Sequence, residues 1–268
     1  MKLQTFFRTH PVFTVEDFAR SLSSDGTHNL RTQESLLTYH VKAGNILRVR
    51  RGLYAVVPPG AVAQTYPVDP YLVASRMTND AVLAYHTALE FHGKAYSVYE
   101  RFMYLAASPA GPVTFRAHQF KGVKFPKSLT LKNKVSFDVV KTDRAGLEVR
   151  VTGLERTFVD VLNRPDLTGS WEEIWRSLEA VEYFDLDKVA QYVDLLGNAT
   201  TAAKVGFFLE QHRDSLMVGE AHLKSFRDRR PRRPHYLERS RRKAGRFVAA
   251  WNLVVPEEVY GRSWEELR

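Results

Sequence analysis

The sequence predicts an α+β fold: a small helical unit closed by a basic hairpin, then a larger mixed α/β domain with a small sheet and a C-terminal helical bundle. Three observations carry this. Apolar residues recur at helical spacing over Thr32–Ala43, and strand-forming runs flank Gly52 directly afterwards. Four further β-like runs lie between 102 and 152, and helical periodicity dominates the chain beyond them. At 268 residues the chain exceeds what one small core usually organises, so two units are expected.

Leu3 to Thr9 fits a first helix. A second begins at Thr14-Val15-Glu16-Asp17, where Thr14 can cap the Asp17 amide and Phe13 against Phe18 has the spacing of a hydrophobic staple. It runs to about Leu22, and the turn-forming Ser23–Asn29 follows. Thr32 to Ala43 forms a third helix with Leu36, Leu37 and Val41 facing inward, and Gly44 takes the C′ position. A two-residue turn at Arg51-Gly52 would then pair Arg50 with Leu53, Val49 with Tyr54, Arg48 with Ala55 and Leu47 with Val56. Leu47, Val49, Tyr54 and Val56 would anchor one face, leaving Arg48, Arg50 and Arg51 on the other. Helix, turn, helix and basic hairpin is the order of a winged helix-turn-helix. The proline-rich PPGAVAQTYP then gives boundaries at 1–59 for this unit, 60–68 for a linker and 69–268 for the second domain.

The second domain opens with helical patterns over Asp69–Thr78 and Asp80–His92. Strands are expected at 102–108, 113–120, 135–142 and 147–152. Capping boxes at Thr152–Glu155 and Ser170–Glu173 would start helices near 153–163 and 171–181. Helices at about 186–196, 199–212 and 218–227 and a last strand, FVAAWNLVV, complete the domain.

Charge is segregated. The net charge is +9, and Lys224–Arg246 alone holds 11 Lys/Arg against 2 acids. Residues 1–59 carry 8 basic and 4 acidic side chains, so two basic poles flank a mildly acidic middle. Segregated positive charge is the footprint of a polyanion binder. The absence of cysteine excludes disulfides, thiolate nucleophiles and cysteine metal sites, and fits a cytoplasmic protein. No apolar run approaches a membrane span of roughly 20 residues.

Catalytic patterns are weak. Paired-acid nucleases place an acid two residues before a lysine; no Asp or Glu here has that neighbour, and Glu148-Val149-Arg150 is the nearest approach. Glu90 and His92 diverge by about 200° around a helix, so with His86 they cannot aim at one metal ion. Neither a phosphate-cradling GxxxxGK[ST] loop nor a GxSxG elbow occurs. The reading is a protein without catalytic residues, metal or cofactor. The expected DNA contacts are Arg31, Thr32, Gln33, Ser35, Thr38, Tyr39 and Lys42 on the third helix, with Arg48, Arg50 and Arg51 on the hairpin. Arg229, Arg230, Arg232, Arg233, Arg241 and Arg242 would add interchangeable phosphate contacts. The alternatives are a nucleic-acid-processing enzyme targeted by the N-terminal unit, and an RNA- or protein-binding module led by the basic segment.

RRGLY at 50–54, YHTALEFHG at 85–93, GLERTFVDVLNRPD at 153–166 and AAWNLVVPE near the end occur in an order similar to that of the AbiEi-type antitoxins of type IV toxin–antitoxin systems, associated with abortive phage infection. The resemblance spans nearly the whole chain. It implies an autorepressor that binds promoter inverted repeats through its winged helix. It further implies antagonism of a nucleotidyltransferase-type toxin, generally without a stable complex, by the second domain.

Overall fold

The computed structural model describes residues 3–23, 29–238 and 245–265. The chain folds into two compact units, each assembled from separated segments: residues 1–83, 99–124 and 140–151 form the first, and 84–98, 125–139 and 152–268 the second.

The first unit begins with α1 (Leu3–Thr9), β1 (Val12–Thr14), α2 (Val15–Ser23), α3 (Leu30–Lys42), β2 (Ile46–Arg50) and β3 (Leu53–Val56). This is the predicted order, with an added strand. β1 pairs antiparallel with β3, giving a sheet ordered β1-β3-β2. The capping box at Thr14 is reciprocal: Asp17 N donates to Thr14 Oγ1 (3.1 Å) and Thr14 N donates to Asp17 Oδ2 (3.0 Å). Phe6, Phe13, Phe18, Leu37, Ile46 and Tyr54 fill the core, with the Phe13 and Phe18 rings 5.8 Å apart.

The hairpin departs from the expected register. Arg50 faces Leu53, but the next pair is Arg48 with Tyr54, followed by Leu47 with Ala55 and Ile46 with Val56. Val49 is therefore an extra, bulged residue. Ile46 and Val49, three apart, cannot share a face of a regular strand; the bulge lets both be buried, while Leu47 is only half-buried.

The unit continues with α4 (Pro70–Ser75) and a six-stranded sheet of β4 (Val82–Leu83), β5 (Arg101–Ala106), β6 (Val113–Phe115), β7 (His118–Lys124), β8 (Val139–Arg144) and β9 (Leu147–Thr152), ordered β6-β7-β5-β4-β9-β8. β7 lies parallel to β5, and β4 parallel to β9. The helix expected over Asp80–His92 is instead the strand β4, a sharp turn with Tyr85 at φ 57°, and a short helix. Its apolar positions are buried on every side, which a strand on a sheet satisfies as well as a helix does. The run 113–120 is likewise a hairpin, turning at Arg116 with φ 55°.

The second unit holds α5 (His86–Phe91), α6 (Lys127–Leu131), α7 (Leu154–Asn163), α8 (Trp171–Glu179), α9 (Leu186–Leu196), α10 (Ala199–Gln211) and α11 (Glu220–Asp228). A small sheet of β10 (His235–Tyr236), β11 (Gly245–Val248) and β12 (Leu253–Pro256), then α12 (Glu257–Tyr260), closes it. FVAAWNLVV is thus a hairpin rather than one strand, and its Trp251 is fully buried in the core with Trp175, Phe158 and Phe208. Ser170 caps α8 as expected, accepting from Glu173 N at 3.1 Å. Thr152 does not cap α7. Its hydroxyl bonds Thr157 at 2.7 Å, and Asp138 Oδ2 accepts from Arg156 N instead (3.0 Å).

Candidate nucleic-acid interface

Helix α3 is closed at both ends by local chemistry. Asn29 Oδ1 accepts from the Thr32 amide and the Thr32 hydroxyl, both at 2.9 Å, and Gly44 at φ 74° terminates the helix. Thr32 is therefore half-buried in the cap rather than presented outward. Gln33 is only 7% exposed: four residues before Leu37, it shares that inward face. Val41 goes the other way, 38% exposed, because the last turn runs past the core. What remains outward is a single stripe, Arg31, Ser35, Thr38, Tyr39 and Lys42, at helical spacing. Ser35 Oγ donates to Arg31 O and Thr38 Oγ1 to Glu34 O, each at 2.8 Å, so these hydroxyls meet an approaching group as acceptors. Tyr39 is 63% exposed. Glu34 is the one acid beside the stripe among the described residues. Burial lowers the pKa of His40, so this histidine adds no charge near neutral pH.

On the hairpin, Arg48 and Arg51 are exposed. Arg50 is not free. Its Nη2 donates to Met77 O at 2.5 Å and its Nη1 to Arg51 O at 3.3 Å, fastening the hairpin to the loop after α4. The bulge at Val49 turns Arg50 off the face that regular alternation would give it. The segment expected as a linker is also fastened, because Arg116 donates to Ala63 O at 2.5 Å and to Tyr66 O.

One charged stretch is hidden when charge is summed over long segments. No acid occurs between Glu100 and Asp138, a stretch with seven Lys/Arg. Averaged into the mildly acidic middle of the chain it leaves no trace, whereas a sliding charge window finds it. Lys121 and Lys124 of this stretch stand exposed on β7 of the first unit.

The late basic segment is heterogeneous. Arg229 forms a two-pronged pair with Asp194 (2.5 and 2.7 Å) and donates to Ser225 O, so it holds α11 to α9 rather than serving as an interchangeable phosphate contact. Arg230, Arg232 and Arg233 are exposed. Arg241 and Arg242 lie outside the described residues.

The second unit's titratable clusters are structural. His86 lies between Glu173 (3.0 Å) and Glu90 (3.2 Å), and His92 meets Thr152 O at 2.8 Å. Burial alone would raise the Glu173 pKa, yet hydrogen bonds from His86 and Ser97 outweigh it and bring the value to about 2. Fully buried Arg156 donates to Val135 O (2.8 Å) and Phe137 O (2.7 Å) and sits 3.5 Å from Asp160, which also accepts from Tyr192 at 2.7 Å. Among the described residues no group of three or more His, Asp or Glu could hold a metal ion, and no helix is long and apolar enough to cross a membrane.

The molecule is thus an α+β protein whose N-terminal segment presents a polar and basic helix stripe beside an arginine-tipped hairpin. Residues 1–57 match the family described as "Transcriptional regulator, AbiEi antitoxin", so this segment is similar to that of an antitoxin and transcriptional-regulator family. The match covers the N-terminal segment rather than nearly the whole chain. The fold is shared with a crystal structure of the RV2827C protein from Mycobacterium tuberculosis, at a TM-score of 0.65 and 17% identity, over 99% of this chain and 93% of that one. None of the curated proteins matches the chain.

Proposed function

We propose that the chain is a DNA-binding autorepressor and the antitoxin of a type IV toxin–antitoxin pair, acting on double-stranded promoter DNA that carries inverted repeats. The observation that supports this most is the stripe Arg31, Ser35, Thr38, Tyr39 and Lys42 next to Arg48 and Arg51, within the segment that matches the regulator family. Such a stripe suits base edges and phosphates in a major groove, with the hairpin arginines on the flanking backbone. Thr32 supports the helix from its cap, and Gln33 and Arg50 support the surface from behind. Arg230, Arg232, Arg233, Arg241 and Arg242 add sequence-independent phosphate contacts. The second domain antagonises a nucleotidyltransferase-type toxin without a stable complex, and no residue of this chain takes a catalytic role.

The test is binding of purified protein to a duplex from its own promoter. If about six phosphates are neutralised, log affinity falls against log salt with a slope near −5. A salt-independent affinity, or equal affinity for promoter and scrambled duplex, overturns the DNA reading. For the antitoxin role, co-expression should relieve the growth arrest caused by a cognate nucleotidyltransferase-type toxin without the two proteins co-purifying.

A further inference from the structure

The small sheet of the second unit has two unlike faces. Its order is β10-β12-β11, and residues directly opposite one another share a face, so Tyr236, Val254 and Phe247 form one row across it. Leu253 and Val255 point the other way and are fully buried in the core. The row itself faces outward: Tyr236 is 39% exposed, Phe247 is 49% exposed and Val254 is half-buried. A solvent-facing sheet face ordinarily carries polar side chains, whereas this one carries two aromatic rings and a valine. We propose that this face is a binding site for unpaired RNA.

Charge marks the partner as a polyanion. The loop into β10 is closed on Asn252, whose Nδ2 donates to Pro231 O (2.9 Å) and whose carbonyl accepts from His235 N (2.8 Å). Arg232 and Arg233, both exposed, are thereby held at the end of the sheet where β10 begins. Residues 239–244, which join β10 to β11 in sequence, carry four Lys/Arg and no acid. Arg246 is exposed but pairs with Val255, leaves by the other face and lies over Tyr260 at 4.2 Å. The acids are set apart. Glu238 accepts from Trp171 Nε1 (3.2 Å), and Glu257 and Glu258 begin α12 beyond Pro256, at the opposite end of the sheet from Arg232.

The aromatic rings decide between single and double strands. In a duplex the base faces are covered by their neighbours, whereas an unpaired strand can splay its bases onto aromatic side chains while arginines track its phosphates. Tyr236 and Phe247 lie two strands apart, about 10 Å, so they suit two splayed bases. Bases stacked roughly 3.4 Å apart would not reach both. Unpaired bases are the ordinary state of RNA loops and ends, which favours RNA over DNA. The site does not depend on the helix stripe proposed to read duplex DNA.

The experiment measures fluorescence anisotropy of a labelled, unstructured RNA of about 12 nucleotides, within the site sizes of single-strand binders, titrated with the full chain. The same sequence is tested as duplex RNA and as single-stranded DNA. The single-stranded RNA should bind about tenfold tighter than the duplex. Y236A/F247A should weaken it about tenfold or more, and Y236W/F247W, which restores the stacking, should keep it within about threefold of the wild type. R232Q/R233Q should make the salt slope shallower by about 1.4, at roughly 0.7 for each phosphate no longer neutralised. R48A/R51A should leave RNA affinity unchanged. Equal affinity for single strand and duplex, or indifference to Y236A/F247A, overturns the site and leaves only general attraction to the cations. Tighter binding of the single-stranded DNA overturns the assignment to RNA. Failure of the promoter experiment with RNA binding intact would overturn only the DNA reading.

Discussion

At the scale of single residues, the exposed arginines and the helix stripe should fail differently. Arg48 and Arg51 have no base-reading geometry of their own, so R48A/R51A should weaken every duplex by about the same factor and make the salt slope shallower by roughly 2. Ser35, Thr38 and Tyr39 lie where base edges would be met, so substituting them should lower promoter affinity more than affinity for scrambled DNA, by about 1–3 kcal/mol for each base no longer read. Electrophoretic shifts at two salt concentrations separate these outcomes; a uniform loss from the helix variants would reassign the stripe to the DNA backbone. Gln33 and Arg50 belong to a third class. Gln33 is buried and Arg50 ties the hairpin to Met77 O, so alanine there should lower the melting temperature. The resemblance segment ERTFVD also resolves at this scale. Its Arg156 and Asp160 form a buried ionic network, which accounts for the motif without any ligand. R156M would leave Asp160 buried without its countercharge and should cost about 3–5 kcal/mol in urea unfolding.

At the scale of elements, the links between helices carry measurable signatures. Trp251 of the closing hairpin lies against α10 where Gly206 has no side chain; a Cβ there would overlap the indole, and Trp251 is fixed by its Nε1 donating to Glu210 at 2.7 Å. G206A should therefore destabilise the chain by about 1–3 kcal/mol, read from the denaturation midpoint. The join of α5 to α8 through His86 and Glu173 is pH-dependent. Glu173 has a folded pKa of about 2, below its ordinary 4.5, so its contribution of about 3 kcal/mol is complete above pH 4.5 and is lost as pH falls toward 2. His86 has a raised pKa, because hydrogen bonds to Glu173 and Glu90 outweigh its burial. Its share is complete below pH 6.5 and is lost as pH rises through the folded value. E173Q should accordingly be less stable than the wild type at pH 6 and approach it near pH 2; a constant gap would refute the linkage.

These elements also show what the sequence could reveal. The caps at Thr14, Ser170 and Gly44 are local chemistry, and the helices they bound fall where spacing puts them. The hairpin bulge is decided by packing: Ile46 and Val49 must both reach one core, and no two-residue alternation announces that. Residues 82–91 are buried on nearly every side, so period cannot separate strand from helix there. At the candidate interface the stripe and the hairpin arginines were legible from spacing and charge. The roles of Gln33, Thr32, Arg50 and Arg229 were not, because each is set by a partner such as the α3 cap, the α4 loop or Asp194.

At the scale of the molecule, positive charge is distributed over three stretches of sequence, and the way each is held decides what it can contribute. The late segment is part anchor and part exposed: Arg229 is spent on Asp194, while Arg230, Arg232 and Arg233 face solvent. Neutralising Arg230, Arg232 and Arg233 together should therefore leave the melting temperature within about 2 °C of the wild type, since exposed charges contribute little to stability. Substituting Arg229 as well should lower it further, by breaking the two-pronged pair. If these exposed arginines meet phosphates, the same triple variant reduces affinity for promoter and scrambled duplex equally and flattens the salt slope by roughly one for each phosphate no longer neutralised. The sequence preference set by Ser35, Thr38 and Tyr39 should survive intact, because phosphate contacts carry no base information. An unchanged slope would confine DNA binding to the first unit, where Arg31, Lys42, Arg48, Arg51, Lys121 and Lys124 are among the exposed cations.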